Sequence, residues 1–172
     1  MIHIKSEEQI AKMRIGGKML ANVLSVSLKE IKPGVTELQI DELAERLILQ
    51  KGGEPGFKRV KGYHNTICVA TNEIVVHGIP TKRSFEEGDV VCIDAGVYYG
   101  GLHTDMAETI LLQKAGREAK SDQEKKRFLT VGKKALIEAI KVARAGNRVG
   151  HISETIQEIV EGAGYSVVRN LV

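Results

Sequence analysis

The chain has 172 residues, 42% of them hydrophobic and 27% charged, with a formal net charge of +3. These values suit a soluble globular protein with a real core, and the charge is too small and too evenly spread to argue for a specific nucleic-acid partner. Cys68 and Cys92 are the two cysteines, each inside an apolar run, which argues against a disulfide framework. The N-terminus has no apolar signal-peptide core and no run approaches the roughly 18 apolar residues of a membrane span, so no membrane association and a cytoplasmic location are expected.

Ser6-x-x-Gln9 is a capping box, and Ile10, Met13, Gly17, Leu20, Leu24, Leu28 and Ile31 follow it at helical spacing. Pro33-Gly34 stops this helix. Thr36-x-x-Gln39 caps a second, with Ile40, Leu43, Ala44 and Leu47 as its buried stripe and Gly52-Gly53 at its end. Lys51, Lys58, Arg59 and Lys61 form a local basic cluster, read as a solvated loop, with an anionic partner as the alternative. Thr66–Ala70 and Ile74–Val76 then read as strands joined by a turn at Thr71-Asn72-Glu73.

A long hairpin follows, with arms Val90–Tyr99 and Leu102–Ile110 around Gly100-Gly101. A two-residue loop makes Tyr99 face Leu102, so Gly96 faces Asp105 and Asp94 faces Ala107. Asp94 and Asp105 then share one face as diagonal neighbours, roughly 7–8 Å apart at their α-carbons. Ser121-x-x-Glu124 caps a third helix with Phe128, Val131, Ala135, Leu136, Ala139, Ile140 and Ala143 on its apolar side. A fourth starts near Arg148 and carries Ile152, Ile156, Ile159 and Val160 before Gly162 and Gly164, after which Tyr165–Val168 turns extended.

Sliding the chain by 112 residues places Gly34 on Gly146, Ile40 on Ile152, Ala44 on Ile156, Leu47 on Ile159 and Gly52 on Gly164. The expected organisation is one domain over residues 1–172 made of a complete αα-β repeat, 1–112, and a partial one, 113–172. The second repeat has its helix pair and the start of a strand, and the chain ends as its second sheet would begin.

The chemistry concentrates on the hairpin. Asp94 interrupts an apolar run, where an unpaired carboxylate would cost several kcal/mol, so it needs a cation or a strong donor set. Two carboxylates on one face point to a metal. His77, before Gly78-Ile79-Pro80 and after the Ile74–Val76 strand, sits where sites are often assembled, although a lone His is more often structural. His103 shares the aspartate face beside the turn tip and reads as exposed, and Glu108 has the wrong parity for that face. His3, His64 and His151 show no partner in the sequence.

The run from Gly62-Tyr63-His64-Asn65-Thr66 through Thr71-Asn72-Glu73 to His77-Gly78-Ile79-Pro80 resembles type I methionine aminopeptidase. Gly88-Asp89-Val90-Val91-Cys92-Ile93-Asp94 and Leu102-His103-Thr104-Asp105 continue the resemblance, in its short form without a zinc-finger extension. It extends from the first helix to Val167-Val168-Arg169. It implies an α+β pita-bread fold, two pseudo-symmetric halves enclosing two divalent metal ions (Co, Mn, Fe or Zn), and removal of N-terminal methionine from nascent proteins. Asp94 would be a bidentate ligand and Asp105 a bridging one. His77 would contact the substrate near its amino terminus and scissile bond, while Tyr63 and Phe57 would line the methionine pocket. Such a metal pair, roughly 3.5–4 Å apart, lowers the pKa of a shared water and polarises the peptide carbonyl.

The resemblance also implies peptide or nascent-chain N-termini as substrate and the ribosome as a partner. Two departures matter. The proline common after the tyrosine is His64 here, so the pocket rim is expected to differ. By the resemblance Asp94 and Asp105 are two of five protein ligands; a ligating His in a Gly-His-Gly motif, a second His and two Glu ligands fall after the segment matching Val172, so weak or partial metal occupancy and weak or no turnover are expected of this chain. The alternative is a non-catalytic fragment that acts as a binding module or is completed by a second chain, with a dimer formed through the incomplete half. A proline-specific relative is disfavoured by the His77-Gly78-Ile79-Pro80 context and the lack of a large N-terminal domain.

Overall fold

The computed structural model describes residues 3–113 and 120–169, and the chain divides into two compact units, Met1–Ala115 and Gly116–Val172. No described helix is long and apolar enough to cross a membrane.

In the first unit, α1 (Glu7–Glu30) and α2 (Glu37–Gln50) both start on the capping boxes expected of them. Ser6 Oγ accepts from the Gln9 N–H at 3.3 Å, and Gln9 Oε1 accepts from the Ser6 N–H at 2.9 Å. Thr36 and Gln39 repeat the exchange at 3.2 and 2.8 Å. The buried stripe of α1 starts later than its spacing suggests, at Gly16, Leu20, Val23 and Leu24, while Ile10 is 41% exposed. The first turns of α1 lie at the hairpin tip, with Lys12 against Gly100, and the sheet ends there. From Gly16 onward the helix rests on Thr104 and Tyr99.

The sheet consists of β1 (Glu54–Pro55), β2 (Ile67–Thr71), β3 (Val90–Tyr99) and β4 (Leu102–Leu111), all antiparallel. β4 pairs with the whole of β3, so β1 and β2 share the other edge of β3, end to end. The register is the one the two-residue loop demands: Tyr99 opposes Leu102, Gly96 opposes Asp105, and Asp94 opposes Ala107. Gly100 and Gly101 both have positive φ, 58° and 86°, which the tight hairpin turn requires and glycine supplies without steric cost.

Parity along β3 separates the core from the site. Val91, Ile93, Ala95 and Val97 are buried in one cluster with Ile67 and Val69 of β2, Leu20, Val23 and Leu24 of α1, and Ile40, Ala44 and Ile48 of α2. Each fully buried aliphatic side chain contributes about 1.5–3 kcal/mol. Cys92, Asp94, Gly96 and Tyr98 alternate with them and therefore line the opposite face.

The expected strand at Ile74–Val76 does not form. β2 ends at Thr71, where Asn72 turns with φ 55° and closes back on β3: its N–H donates to the Val90 carbonyl at 2.9 Å and its Oδ1 accepts from the Val90 N–H at 3.0 Å. The turn over Thr71–Asn72–Glu73 is therefore present, with the Ile74 N–H donating to the Thr71 carbonyl. Beyond it Ile74, Val75 and Val76 are exposed in an irregular loop. A short apolar run cannot by itself distinguish a buried strand from an exposed segment. His77 thus belongs to a loop and not to a strand end.

In the second unit, α3 (Lys120–Val142) packs against α4 (Val149–Gly162). The expected start of the third helix borders residues 114–119, so the capping role read for Ser121 lies outside what is described. Ala135 and Ala139 are buried, whereas Phe128, Leu136 and Ile140 are exposed. Tyr165 closes the pair: its ring meets Phe128 edge-on at 5.2 Å and its hydroxyl donates to Glu124 at 2.6 Å. His151 accepts from the Arg148 N–H through Nδ1 at the start of α4. Among the described residues, 165–169 join no sheet.

Candidate active site

The face of β3 turned away from the helices carries the aspartates. Asp94 lies directly between Cys68 on β2 and Ala107 on β4, and Asp105 lies opposite Gly96, one diagonal step away. The two carboxyls meet, and the consequence is electrostatic. Burial, then the negative charge of Asp105, then a hydrogen bond between the two carboxyls push Asp94 up to about 6, against smaller lowering effects from His77 and the Ala95 N–H. Asp94 Oδ1 is buried and has no hydrogen-bond partner. Such an oxygen costs free energy unless something satisfies it, and a hard cation between two carboxylates would do so. The residues present therefore fit a metal, although among the described residues no third His, Cys, Asp or Glu joins them in a cluster able to hold one.

The aromatic residues reach this face from the segment before β2. A short 3₁₀ turn, Phe57–Arg59, is held against β3 because the Gly56 N–H donates to the Gly96 carbonyl at 2.8 Å. That close approach needs glycine at 56, where a Cβ would lie 3.0 Å from the Gly96 carbonyl carbon. It also needs glycine at 96, where a Cβ would lie 2.8 Å from Phe57 Cε1. Since the Gly96 Cβ direction is that of the aspartates, the Phe57 ring lies over their face. Tyr63 meets Phe57 edge-on, with ring centroids 6.3 Å apart. The Tyr63 hydroxyl donates to the Ile67 carbonyl at 2.6 Å and lies 3.3 Å from Cys68 Sγ.

Cys68 is also a member of this cluster, although its place in an apolar run marks it for no site. Burial raises its pKa most; the hydrogen bond with Tyr63 lowers it, and the charges of Asp94, Asp105 and Asp41 raise it further. It is a neutral thiol at physiological pH, and burial likewise pushes the Tyr63 phenol up. Strand pairing was the available signal, because any partner of β3 in this register places a side chain beside Asp94.

His77 stands on the loop after β2 with φ 56°, a left-handed conformation uncommon outside glycine and costly unless its surroundings impose it. The next residue imposes it. The Val69 N–H donates to the Gly78 carbonyl at 2.9 Å, and a Cβ at Gly78 would run into the Val69 carbonyl, so the loop is pressed onto the free edge of β2. His77 is close enough for its charge to lower the Asp94 pKa. The structure thus gathers Phe57, Tyr63, Asp94, Asp105 and His77 around one face of the hairpin.

The other sequence candidates lie elsewhere. His103 is exposed and packs on Tyr98 at 4.8 Å. Glu108 opposes Ile93 and so has the parity of the other face. The basic cluster is partly neutralised, with Lys58 paired to Glu45 and Arg59 to Glu54, and Arg59 also covers the Tyr98 ring at 3.8 Å.

The hairpin thus presents a half-buried and an exposed carboxylate side by side and is backed by two helices. The chain belongs to metallopeptidase family M24, whose model matches residues 11–172, and its fold is the pita-bread fold. Its relatives there are methionine aminopeptidases. That of Mycoplasma capricolum is 42% identical over 170 residues, covering 99% of this chain and 66% of the relative. Methionine aminopeptidase 1 of Bacillus subtilis is 37% identical over 172 residues, covering 100% of this chain and 67% of the relative. The crystal structure of methionine aminopeptidase from Thermotoga maritima superposes with a TM-score of 0.91 at 36% identity, over 100% of this chain and 67% of that one. The chain therefore spans about two thirds of the length of the relatives it matches. Membership implies divalent-metal chemistry on peptide substrates.

Proposed function

We propose that this chain contributes the carboxylate half of a methionine aminopeptidase centre, with Asp94 and Asp105 as metal ligands. The observation that carries this reading is the buried, unpartnered Oδ1 of Asp94 beside a second carboxylate. Bound divalent ions, of which Co, Mn, Fe and Zn all suit carboxylate ligands, would activate water and polarise the peptide carbonyl there. Phe57 and Tyr63 form an apolar wall for an N-terminal methionine side chain. His77, held at the loop crest, hydrogen-bonds the substrate near its amino terminus and scissile bond, where an imidazole can also exchange a proton near neutral pH. Cys68, kept as a thiol, adds a soft neutral surface for the thioether.

Because Asp94 and Asp105 have no third ligand beside them among the described residues, metal binding and turnover by this chain are weak. Equilibrium dialysis against Mn²⁺ or Co²⁺, paired with hydrolysis of a Met-Gly-Met peptide, tests both parts. We expect low-affinity metal binding that is lost in the Asp94→Asn and Asp105→Asn variants, with little turnover. Binding unchanged in both variants would remove the metal assignment. Turnover equal to that of the Bacillus subtilis relative, measured side by side, would remove the weak-activity part.

A further inference from the structure

Helix α2 carries two buried carboxylates away from the aspartate pair. Glu37 is 2% exposed and Asp41 6%, and at a spacing of four residues they project from one side of the helix. Among the described residues neither takes part in an ion pair; their hydrogen-bond partners are uncharged groups at the two ends of β2 and on the segments that flank it. Glu37 Oε1 accepts from the Thr71 hydroxyl at 3.0 Å, and Oε2 accepts from the Thr81 N–H at 3.0 Å and the Thr81 hydroxyl at 2.9 Å. Thr71 and Thr81 are the two ends of the segment that carries His77. Backbone donors at the start of α2 reinforce the clasp, with the Leu38 N–H on the Thr81 carbonyl and the Glu37 N–H on the Arg83 carbonyl.

Asp41 does the same for the other segment. Its Oδ1 accepts from the N–H groups of Thr66 and Ile67 at 2.8 and 2.9 Å, and its Oδ2 accepts from Asn65 Nδ2 at 3.0 Å. Those residues join Tyr63 to β2, and the Ile67 carbonyl holds the Tyr63 hydroxyl. A carboxylate accepting several N–H and O–H bonds in a dry site makes strong, directional bonds.

We propose that Glu37 and Asp41 are positioning residues: from one helix they set the His77 loop and the Tyr63 segment independently against Asp94. The functional part rests on the reading that His77 and Tyr63 meet an N-terminal methionine, and the placement of the loops does not.

Amide hydrogen exchange of the full chain tests the placement. Opening one clasp raises exchange locally. In Glu37→Gln the amides of 72–81 and of Val69 are expected to exchange roughly tenfold faster, with those of Thr66, Ile67 and β3 unchanged. In Asp41→Asn the Thr66 and Ile67 amides accelerate and 72–81 does not. Should Glu37→Gln fail to fold, Thr71→Val removes a single donor from the same clasp and is expected to loosen the same segment. Uniform acceleration across β2, β3 and β4 in these variants would mean a general stabilising role and overturn the proposal.

Titration with L-methioninamide followed by NMR then tests function. The His77 response is expected to weaken about tenfold in Glu37→Gln with the Tyr63 response retained, and the reverse in Asp41→Asn. Equal weakening of both responses in either variant would overturn independent positioning. A wild-type chain with no response at either residue would overturn the substrate reading, and the exchange pattern would still decide the placement.

Discussion

Asp94 is held where a carboxylate is uncomfortable. With one oxygen unpartnered and a second carboxyl against it, its partial burial works against the fold in the metal-free chain. Asp94→Asn, which removes the charge at nearly constant shape, is therefore expected to stabilise the metal-free chain by on the order of 1–2 kcal/mol, discounted for partial solvent access, while weakening metal binding. Urea denaturation with and without Mn²⁺ would read both effects, and a destabilised Asp94→Asn chain would contradict this account.

Asp89 behaves oppositely. Burial raises its pKa, but the Arg83 guanidinium, the Glu86 N–H and Asn72 together outweigh it and hold the carboxyl below the usual carboxylate value. A depressed pKa favours the fold above the unfolded-state value of 3.8, and that contribution disappears as the pH falls through the folded value. Stability is expected to drop in this acidic window, with a shallower drop in Arg83→Ala. Urea midpoints measured from about pH 3 to pH 7 would show it, and identical acid limbs in the two proteins would refute it.

Among single residues, Asp94 and Asp105 were legible because hairpin parity is local and fixed by a two-residue turn. Glu37 and Asp41 were not, since residue type alone does not tell a solvated helix carboxylate from one clasping a segment more than 20 residues away. One clue existed: the two positions continue the apolar stripe of Ile40, Ala44 and Ile48 at helical spacing, where a charge on a buried face asks for partners.

Among the elements, the capped helices and the hairpin follow from their own residues, whereas the segment from Asn72 to Asp89 is shaped by what it touches. Ile74–Val76 has strand composition and forms no strand, because Asn72 returns the chain to β3 and only Gly78 reaches the edge of β2. The weight on Gly78 is correspondingly large. Gly78→Ala must move the loop or the strand to relieve its contact with the Val69 carbonyl, with an expected cost of about 2–4 kcal/mol. Thermal denaturation gives the cost, and loss of Val69 amide protection would place it. A variant as stable as the parent would show that the loop is not seated as described.

On the scale of the whole molecule, the two units differ in how much they bury. The first packs branched and aromatic side chains, Phe85, Ile93 and Leu20 among them, while the buried apolar residues described in the second are Ala135 and Ala139. The α3–α4 pair is expected to be the weaker cooperative unit, exchanging its amides faster than β3 and opening at lower temperature. Exchange mass spectrometry during a thermal ramp would register this order, and simultaneous opening of both units would contradict it.

We further propose that the units descend from one duplicated αα-β element. The helix pairs match in length, 24 and 14 residues against 23 and 14. The glycines aligned by the repeat share their backbone state, Gly34 with Gly146 at φ 89° and 92° and Gly52 with Gly164 at 76° and 86°.

The β3–β4 hairpin leaves the molecule very unequal tolerance to changes in chain length. One residue inserted inside β3 ahead of Ile93 would exchange the faces of the positions around it, sending Asp94 toward the helices and Ile93 toward the aspartate face, so the core and the carboxylate pair would be lost together. Residues added between Gly100 and Gly101 lengthen only the turn and leave every pairing partner in place. That tip is where a reporter group or a longer loop could be grafted without touching the alternation that makes one strand serve both the interior and the aspartate face.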